Sequence, residues 1–172
     1  MKKIYKYSFL LLLTLVLSCN NEEGYADLDL DKSEVSAMSG EWFVKLLVDG
    51  EDIYDIGYYK ISTHNTANGG SEMYIDDFRQ WPMRVIVPVN VSALTFSGSG
   101  LTSETSYKPT GSTTVVVPVL KITDGIITKN GATSETGTVS DKISFKVEFS
   151  DDPGTVYTIE GYKRTGFLED EH

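Results

Sequence analysis

The sequence predicts an all-β domain of about eight to ten short antiparallel strands. Apolar and polar residues alternate with a period of two, turn-forming residues separate the alternating segments, and no segment of about ten residues has a convincing helical pattern. The alternation is clearest where Ile143, Phe145 and Val147 share one face while Ser144 and Lys146 share the other. Short connections favour pairing between successive strands, so a two-sheet sandwich and an up-and-down barrel both fit the pattern.

The predicted strands follow one another from Gly40 to the end of the chain. In order, they are EWFVKLLV, GYYKIST, SEMYIDDF, MRVIVPVNV, ALTFSG, STTVVVPVLKIT, IITKNG, KISFKVEFS and TVYTIEGYKRTGF. The intervening loops are rich in turn residues, and Asp124-Gly125 predicts a two-residue hairpin. Pro88 and Pro118 interrupt two valine-rich segments and cannot donate to a ladder, so these strands are expected to be bent or to lie at an edge.

The N-terminal segment has the composition of a secretory signal. Three lysines precede a short apolar run over residues 9–17, which is shorter than the roughly 20 residues that a membrane-spanning helix needs. The next residues, Val-Leu-Ser-Cys ending at Cys19, resemble the lipobox at which bacterial lipoproteins are cleaved and acylated. We therefore predict a signal peptide over residues 1–18 and a lipid anchor of the palmitate type on Cys19. This cysteine is the only one in the chain, so it can form no internal disulfide.

Residues 19–38 are polar and acidic, and they predict a flexible tether between the lipidated cysteine and the folded domain. The string NNEE directly after Cys19 resembles the export signals of surface lipoproteins in Bacteroidetes, so the expected location is the outer membrane, with the domain exposed at the cell surface. Removal of residues 1–18 leaves 154 residues (172 − 18) with 12 basic and 25 acidic side chains, a net charge of −13 (12 − 25). Such an acidic surface excludes nucleic acid as a partner.

The predicted domain begins with a Gly-x-Trp motif, Gly40-Glu41-Trp42. This motif on a first strand resembles the calycin superfamily, which includes lipocalins and fatty-acid-binding proteins. In that superfamily the tryptophan closes one end of the barrel, and a basic residue of the last strand packs across its ring. The resemblance implies that Trp42 closes the barrel here with Arg164, or with Lys163 beside it. The Thr-Asp-Tyr signature of a later lipocalin turn is absent from the sequence.

A closer resemblance covers nearly all of the predicted domain. The segments that carry it are GEWFVKL, ISTHNTANGGSEMYIDD, VIVPVNVSALTFSG and GYKRTGF. Together they resemble the Bacteroidetes lipoprotein family named as lipid-binding putative hydrolases. The resemblance implies a calycin-like, up-and-down barrel of about eight strands over residues 39–172. It supplies no matched catalytic residues, so the activity in the family name cannot be assigned to particular side chains.

Candidate catalytic groups are few. The chain has no Gly-x-Ser-x-Gly elbow, so a hydrolase mechanism would rely on His64 as a general base with Asp76 or Asp77. The alternative is a loop histidine with local hydrogen bonds. Neighbouring strand residues point to opposite faces, so Asp76 and Asp77 are expected at a solvated strand end rather than as a carboxylate pair. The acidic turn over residues 49–57 lacks calcium-loop spacing and the chain lacks zinc ligands, so we expect no metal and no cofactor.

Aromatic residues in the first half of the domain are the candidates for binding. The residues expected to line a ligand pocket are Tyr54, Tyr59, Tyr74, Arg79 and Trp81. They either fill the barrel or surround a cavity of a few hundred Å³ for a small hydrophobic or amphipathic ligand such as a lipid, with Arg79 at the mouth to meet a carboxylate. The alternative is an accessory protein of the cell envelope that binds glycan or protein through exposed aromatics, such as Trp81 or one of Tyr58 and Tyr59.

Overall fold

The computed structural model describes residues 33–172, which form a closed barrel of eight antiparallel strands. The strands are β1 (Gly40–Leu47), β2 (Tyr59–Asn65), β3 (Glu72–Asp76), β4 (Arg84–Asn90), β5 (Thr95–Thr102), β6 (Val119–Thr133), β7 (Val139–Phe149) and β8 (Asp152–Lys163). Each strand pairs with its neighbour in the chain, and β1 pairs with β8 to close the barrel. The predicted up-and-down barrel is thereby confirmed, and the sandwich alternative is wrong.

Two 3₁₀ helices flank the barrel, Glu34–Met38 before β1 and Leu168–Asp170 after β8. The first belongs to the segment predicted as tether. Its Val35 and Met38 side chains are fully buried, so this segment packs with the barrel domain. Because residues 33–172 close their own sheet and bury their own core, we expect this unit to fold without the preceding segment. No helix within it is long and apolar enough to cross a membrane.

The barrel interior is filled by side chains. Every strand contributes inward-facing residues that are at most 3% exposed. The core residues on the strands are Trp42, Val44, Leu46, Ile61, Met73, Ile75, Val85, Val87, Phe96, Leu120, Ile122, Ile127, Ile143, Phe145, Val147, Phe149, Tyr157 and Ile159. A cavity that admitted water would leave accessible surface on the side chains lining it. Of the two alternatives that the sequence left open, the described residues therefore form the filled barrel and not the internal cavity.

Trp42 lies at the closed end of the barrel, as the calycin resemblance implied. Its indole Nε1 donates to Thr63 Oγ1 at 2.9 Å, and that hydroxyl donates to the backbone oxygen of Met38 at 2.6 Å. All three residues are buried. The chain of hydrogen bonds therefore joins β1, β2 and the first 3₁₀ helix beneath the core.

The cation over the indole is Lys163, and the assignment of Arg164 to this role is wrong. Lys163 Nζ lies 5.7 Å from the Trp42 ring centroid and donates to the backbone oxygen of Ser39 at 2.9 Å. Trp42 faces Lys163 directly in the β1–β8 register, so the two side chains share the inner face. Arg164 instead binds the carboxylate of Glu41 at 2.7 Å on the outside.

The close approach of β1 and β8 depends on a glycine. A Cβ atom on Gly161 would lie 1.9 Å from the backbone oxygen of Phe43 and 2.7 Å from Cα of Val44. Both contacts are to backbone, which cannot rotate away as a side chain can. Gly161 is therefore required for barrel closure at this register.

The hairpin predicted at Asp124-Gly125 does not exist, because β6 runs through both residues. The β6–β7 register shifts between Thr123 and Ile126, and Asp124 has a φ of 54°. A Cβ on Gly125 would lie 2.3 Å from the backbone oxygen of Phe96 on β5. This is a β-bulge that bends a long strand, and it uses the same residue types as a tight turn.

The pairing of β4 with β5 is short. The two strands are in register only at Val89–Phe96 and Asn90–Thr95. Pro88 lies where this ladder ends. Proline has no backbone N–H, so no donor is left unpaired at this position. Pro88 therefore lies beside a gap in the pairing, although β4 is not an edge strand because the barrel is closed.

Candidate ligand-binding site at the barrel mouth

The two ends of the barrel differ in their connections. The end opposite Trp42 carries three long loops, over residues 48–58, 77–83 and 103–118, together with the tight β7–β8 connection. We call this end the mouth. Long loops on a rigid scaffold commonly carry binding functions, and four of the five predicted pocket residues lie on or beside these loops.

A cluster of four aromatic rings closes the mouth, and we call it the aromatic cap. Tyr54 and Trp81 come from the first two loops, while Phe149 is the last residue of β7 and Tyr157 lies within β8. The Trp81 ring centroid is 6.1 Å from that of Tyr54, 5.9 Å from Phe149 and 6.0 Å from Tyr157. Tyr54 is 47% exposed, and Trp81 is partly buried. The loop-borne half of the cap therefore faces solvent, while the strand-borne half belongs to the core.

The cap carries a short chain of hydroxyl groups. The hydroxyls of Tyr54 and Tyr157 are 3.1 Å apart, and Tyr157 also donates to the carboxylate of Asp152. Burial raises the pKa of the Tyr157 hydroxyl, and the hydrogen bond to Asp152 raises it further. The hydroxyl therefore stays protonated at neutral pH. With the Tyr54 hydroxyl and the Asp152 carboxylate, it forms a small polar group of side chains at an otherwise apolar mouth.

Asp77 holds the loop that carries Trp81. Its carboxylate is 2% exposed and accepts backbone N–H groups from Arg79 at 3.0 Å, Trp81 at 2.7 Å and Met83 at 3.3 Å. Burial raises the pKa of Asp77 to about 7, and the backbone N–H groups oppose this effect. Phe78 and Arg79 within the loop have φ values of 53° and 71°, which non-glycine residues rarely adopt. The carboxylate therefore compensates a strained backbone.

Asp76 faces the outside of the barrel. It is 8% exposed, its Oδ2 lies 3.0 Å from Arg84 Nη1, and its Oδ1 accepts the N–H of Phe78 at 2.8 Å. The expected solvated strand end is therefore wrong for both aspartates, because each carboxylate is buried and bound. Their separation on opposite sides of the wall agrees with the expected strand alternation, so they form no carboxylate pair.

The other predicted pocket residues divide between the mouth and the outer wall. Tyr59 lies at the mouth end of β2 and packs against the core, where burial and the nearby Asp77 raise the pKa of its hydroxyl. Tyr74 lies on the outer wall and donates to Glu104 Oε1 at 2.9 Å, so it does not contribute to the mouth. Arg79 is exposed at the rim, beside a concavity of about 280 Å³ that Phe78 also lines.

His64 also lies on the outer wall, on β2. Its Nδ1 is 3.5 Å from Ser62 Oγ, and its ring stacks on Tyr74 with centroids 5.0 Å apart. Asp76 pairs with Ser62 in the strand register and binds Arg84, so it does not orient the histidine. A hydrolytic triad needs the carboxylate on one side of the imidazole and the hydroxyl on the other. The described residues do not assemble this arrangement around His64.

The acidic turn between β1 and β2 uses a carboxylate to fix its own backbone. Asp52 accepts the N–H of Gly57 at 2.7 Å and of Ile56 at 3.1 Å. The hydrogen bond from Gly57 is the main reason that the pKa of Asp52 is lowered. Within residues 33–172, no three His, Cys, Asp or Glu side chains converge in a geometry that could hold a metal ion. Because Asp52 fixes the backbone of this turn, it also holds Tyr54, which the turn carries, in the aromatic cap.

Sequence reasoning missed Phe149, Tyr157 and Asp152, because it looked for pocket residues only in the first half of the domain. Phe149 ends the clearest alternating strand, and Tyr157 continues the inward face of β8. The available signal was that in an up-and-down barrel the ends of β7 and β8 return to the same rim as the long loops. Asp152, at the start of β8, carried no signal of its own.

The fold and the site together define an up-and-down barrel of eight strands with an aromatic cap over its mouth. Residues 27–168 match a family model described as lipid-binding putative hydrolase, which spans more than half of the chain. The chain therefore belongs to the family of lipid-binding putative hydrolases, as its motifs predicted. A comparison with curated proteins found no match.

Proposed function

We propose that this protein binds a small hydrophobic or amphipathic ligand at the barrel mouth, as a lipid-anchored protein of a bacterial envelope. Membership of a lipid-binding family and the barrel fold support a ligand of this class. The observation that carries the location of the site is the aromatic cap. This cluster is aromatic, is made partly of loop residues and lies over the mouth end of the core.

Binding at the mouth requires the cap to move, because the interior holds no space. Tyr54 and Trp81 are attached to loops, whereas Phe149 and Tyr157 are fixed by the β7–β8 ladder. A ligand that displaces the two loop-borne rings finds an apolar floor of Phe149, Tyr157 and the core beneath them. The contacts of the displaced rings are then replaced by contacts to the ligand, so that little apolar surface becomes exposed.

The polar groups at the mouth favour a ligand with one polar end. The hydroxyls of Tyr54 and Tyr157 can bond to a hydroxyl or ester group, and Asp152 can accept from a ligand hydroxyl. Arg79 at the rim is available for an anionic group. A fatty acid and a monoglyceride have the required combination of an apolar chain with a compact polar end.

Tryptophan fluorescence tests the proposed site, since the chain contains two tryptophans in different places. Trp81 lies in the cap and Trp42 is fully buried at the closed end. We expect titration with oleate or monoolein to change the emission of Trp81 in the wild type and in a Trp42→Phe variant. The change should disappear in a Trp81→Phe variant. An equal change in Trp81→Phe, or no saturable change in any variant, would contradict binding at the mouth.

We propose further that Cys19 carries the anchor. The basic and apolar signal segment, the lipobox-like residues and the lone cysteine support this. All of them lie outside the described residues. Labelling cells with a palmitate analogue should mark the wild type, but not a Cys19→Ala variant. Labelled protein in the outer-membrane fraction and accessible to added protease would support surface exposure. Release of wild-type protein without label would refute the anchor.

A second candidate function is binding of a glycan or protein partner through the outer wall. The filled interior favours it, since it removes the internal pocket. Tyr58 faces outward, as alternation with Tyr59 predicted, and borders a groove of about 230 Å³ with Lys45 and Glu160. Ligand-observed NMR with a panel of mono- and disaccharides tests this candidate. Signals lost on Tyr58→Ala and kept on Trp81→Phe would place a sugar there, and the absence of any signal would reject sugar binding.

A further inference from the structure

The two halves of the β5–β6 connection are joined to each other by an isolated β-bridge. Residues 103–118 fold back on themselves, and Tyr107 and Val116 exchange two backbone hydrogen bonds, of 3.0 and 2.8 Å. The ribbon continues toward the barrel where the N–H of Ser103 donates to the backbone oxygen of Pro118. The backbone groups of Val116 and Pro118 are thus directed to the inside of the ribbon.

The opposite edge of the second half of this ribbon has no partner within the described residues. Since backbone groups alternate in direction along a strand, those of Val115 and Val117 point away from Tyr107. Val119, two residues further on, bonds to Ser150 on that side. None of the described hydrogen bonds uses the backbone N–H or C=O of Val115 or Val117. Residues 113–117 therefore present a free strand edge, which we call the valine edge.

The side chains along the valine edge are also apolar and exposed. Val115 is 59% exposed and Val117 is 47% exposed. Residues 109–120 contain no charged side chain, in a chain of which 23% is charged. An exposed edge of β-branched residues without a lysine or an inward charge is a template for pairing with another strand. Pro118 limits the length of the edge on its C-terminal side.

We propose that the valine edge pairs with the same edge of a second copy of this chain. The pairing strand has to be extended, β-branched and uncharged along the contact, and the edge itself meets each requirement. The chain has 25 acidic and 15 basic side chains, so two copies repel each other at most surfaces, but not along this charge-free segment. Antiparallel pairing about a two-fold axis at Val115 places Val115 opposite Val115 of the second copy and forms about six backbone hydrogen bonds.

Sedimentation equilibrium of residues 33–172 tests the association. The average mass should rise toward that of a dimer between about 10 μM and about 1 mM, as expected for a small interface. Val115→Lys should raise the dissociation constant at least about tenfold, since it places a charge on the axis. The matched control is Val139→Lys, at a valine that is 61% exposed on another part of the barrel. A wild type that stays monomeric, or equal effects of both variants, would overturn the proposal.

Oxidative cross-linking tests the register independently of affinity. Directly opposed residues in a hydrogen-bonded antiparallel pair have Cα atoms about 5.5 Å apart, which suits a disulfide. Cys19 lies outside residues 33–172, so Val115→Cys and Val139→Cys each give a unit with a single thiol. We expect Val115→Cys to form a covalent dimer under mild oxidation and Val139→Cys to remain a monomer. Failure of Val115→Cys to cross-link, or equal cross-linking of both, would contradict pairing at this edge.

Discussion

Replacement of Thr63 by valine should destabilise the closed end of the barrel strongly. The hydroxyl of Thr63 accepts the indole N–H of Trp42 and donates to the backbone oxygen of Met38, and all three residues are buried. Valine has nearly the same shape, so both polar partners lose their hydrogen bond and no water can replace it. Each unsatisfied buried group costs about 1–3 kcal/mol, which gives a loss of about 2–6 kcal/mol.

The assay is thermal and urea unfolding of residues 33–172 with Thr63→Val, using Thr63→Ser as the matched control. An unfolding entropy of about 0.3 kcal/mol/K for a domain of this size converts the loss to a fall in Tm of about 7–20 °C. Thr63→Ser keeps the hydroxyl and loses one methyl group, so it should cost only about 1 kcal/mol. Equal stability of Thr63→Val and the wild type, or equal losses for both variants, would refute the hydrogen-bonded closure.

Three further predictions concern the closed end, the mouth and the strand pairing. Lys163→Met should lower the free energy of unfolding by about 1–2 kcal/mol through loss of its contact with Trp42, and Arg164→Met should lower it less; urea midpoints in the opposite order would contradict the assignment of Lys163. Folding raises the pKa of Asp77 from its ordinary value of 3.8 to about 7. The protonated carboxyl therefore stabilises the folded state fully below about pH 4, and this stabilisation, up to about 4 kcal/mol, is lost as the pH rises to about 7. Asp77→Asn should remove that part of the pH profile, and a profile unchanged by the substitution would show that this carboxyl does not titrate there. Gly161→Ala should cost about 3 kcal/mol or more, since its methyl group would collide with the β1 backbone, and a variant of wild-type Tm would mean that β1 and β8 are further apart than described.

Local pattern predicted the class of fold, and long-range register determined the rest. Alternation along β7 identified its buried face correctly, because a period of two is a property of the strand itself. The choice between sandwich and barrel depended on whether β1 meets β8, which no local segment encodes. The same limit explains the error at Lys163 and Arg164, since a shift of one residue in register exchanges the inner and outer faces.

Two errors came from residue types that serve several structures. Asp124-Gly125 has the composition of a tight turn, but a bulge uses the same left-handed aspartate and side-chain-free glycine. Asp77 was expected at a solvated strand end, but the loop that follows has backbone N–H groups that need a buried acceptor. Neither outcome could be read without knowing which strands lie beside these residues.

The pocket candidates were predicted only in part for a similar reason. Tyr54, Tyr59 and Trp81 are brought to the mouth by three separate elements, whereas Tyr74 lies on the outer wall because it is one residue out of phase with the inner face of β3. The sequence therefore identified suitable side chains without identifying the end of the barrel at which they meet. The sequence left a filled interior and a ligand cavity as alternatives, because the outcome depends on how the side chains of all eight strands fit together.

The indole N–H signals of ¹⁵N-labelled protein provide the clearest test of ligand binding at the aromatic cap. The two tryptophans give two such signals, one from the cap and one from the closed end. On addition of monoolein we expect the Trp81 signal to shift saturably while the Trp42 signal stays in place. A shift of Trp42 as large as that of Trp81 would mean that the ligand enters the core, and no shift of either would contradict binding at the mouth.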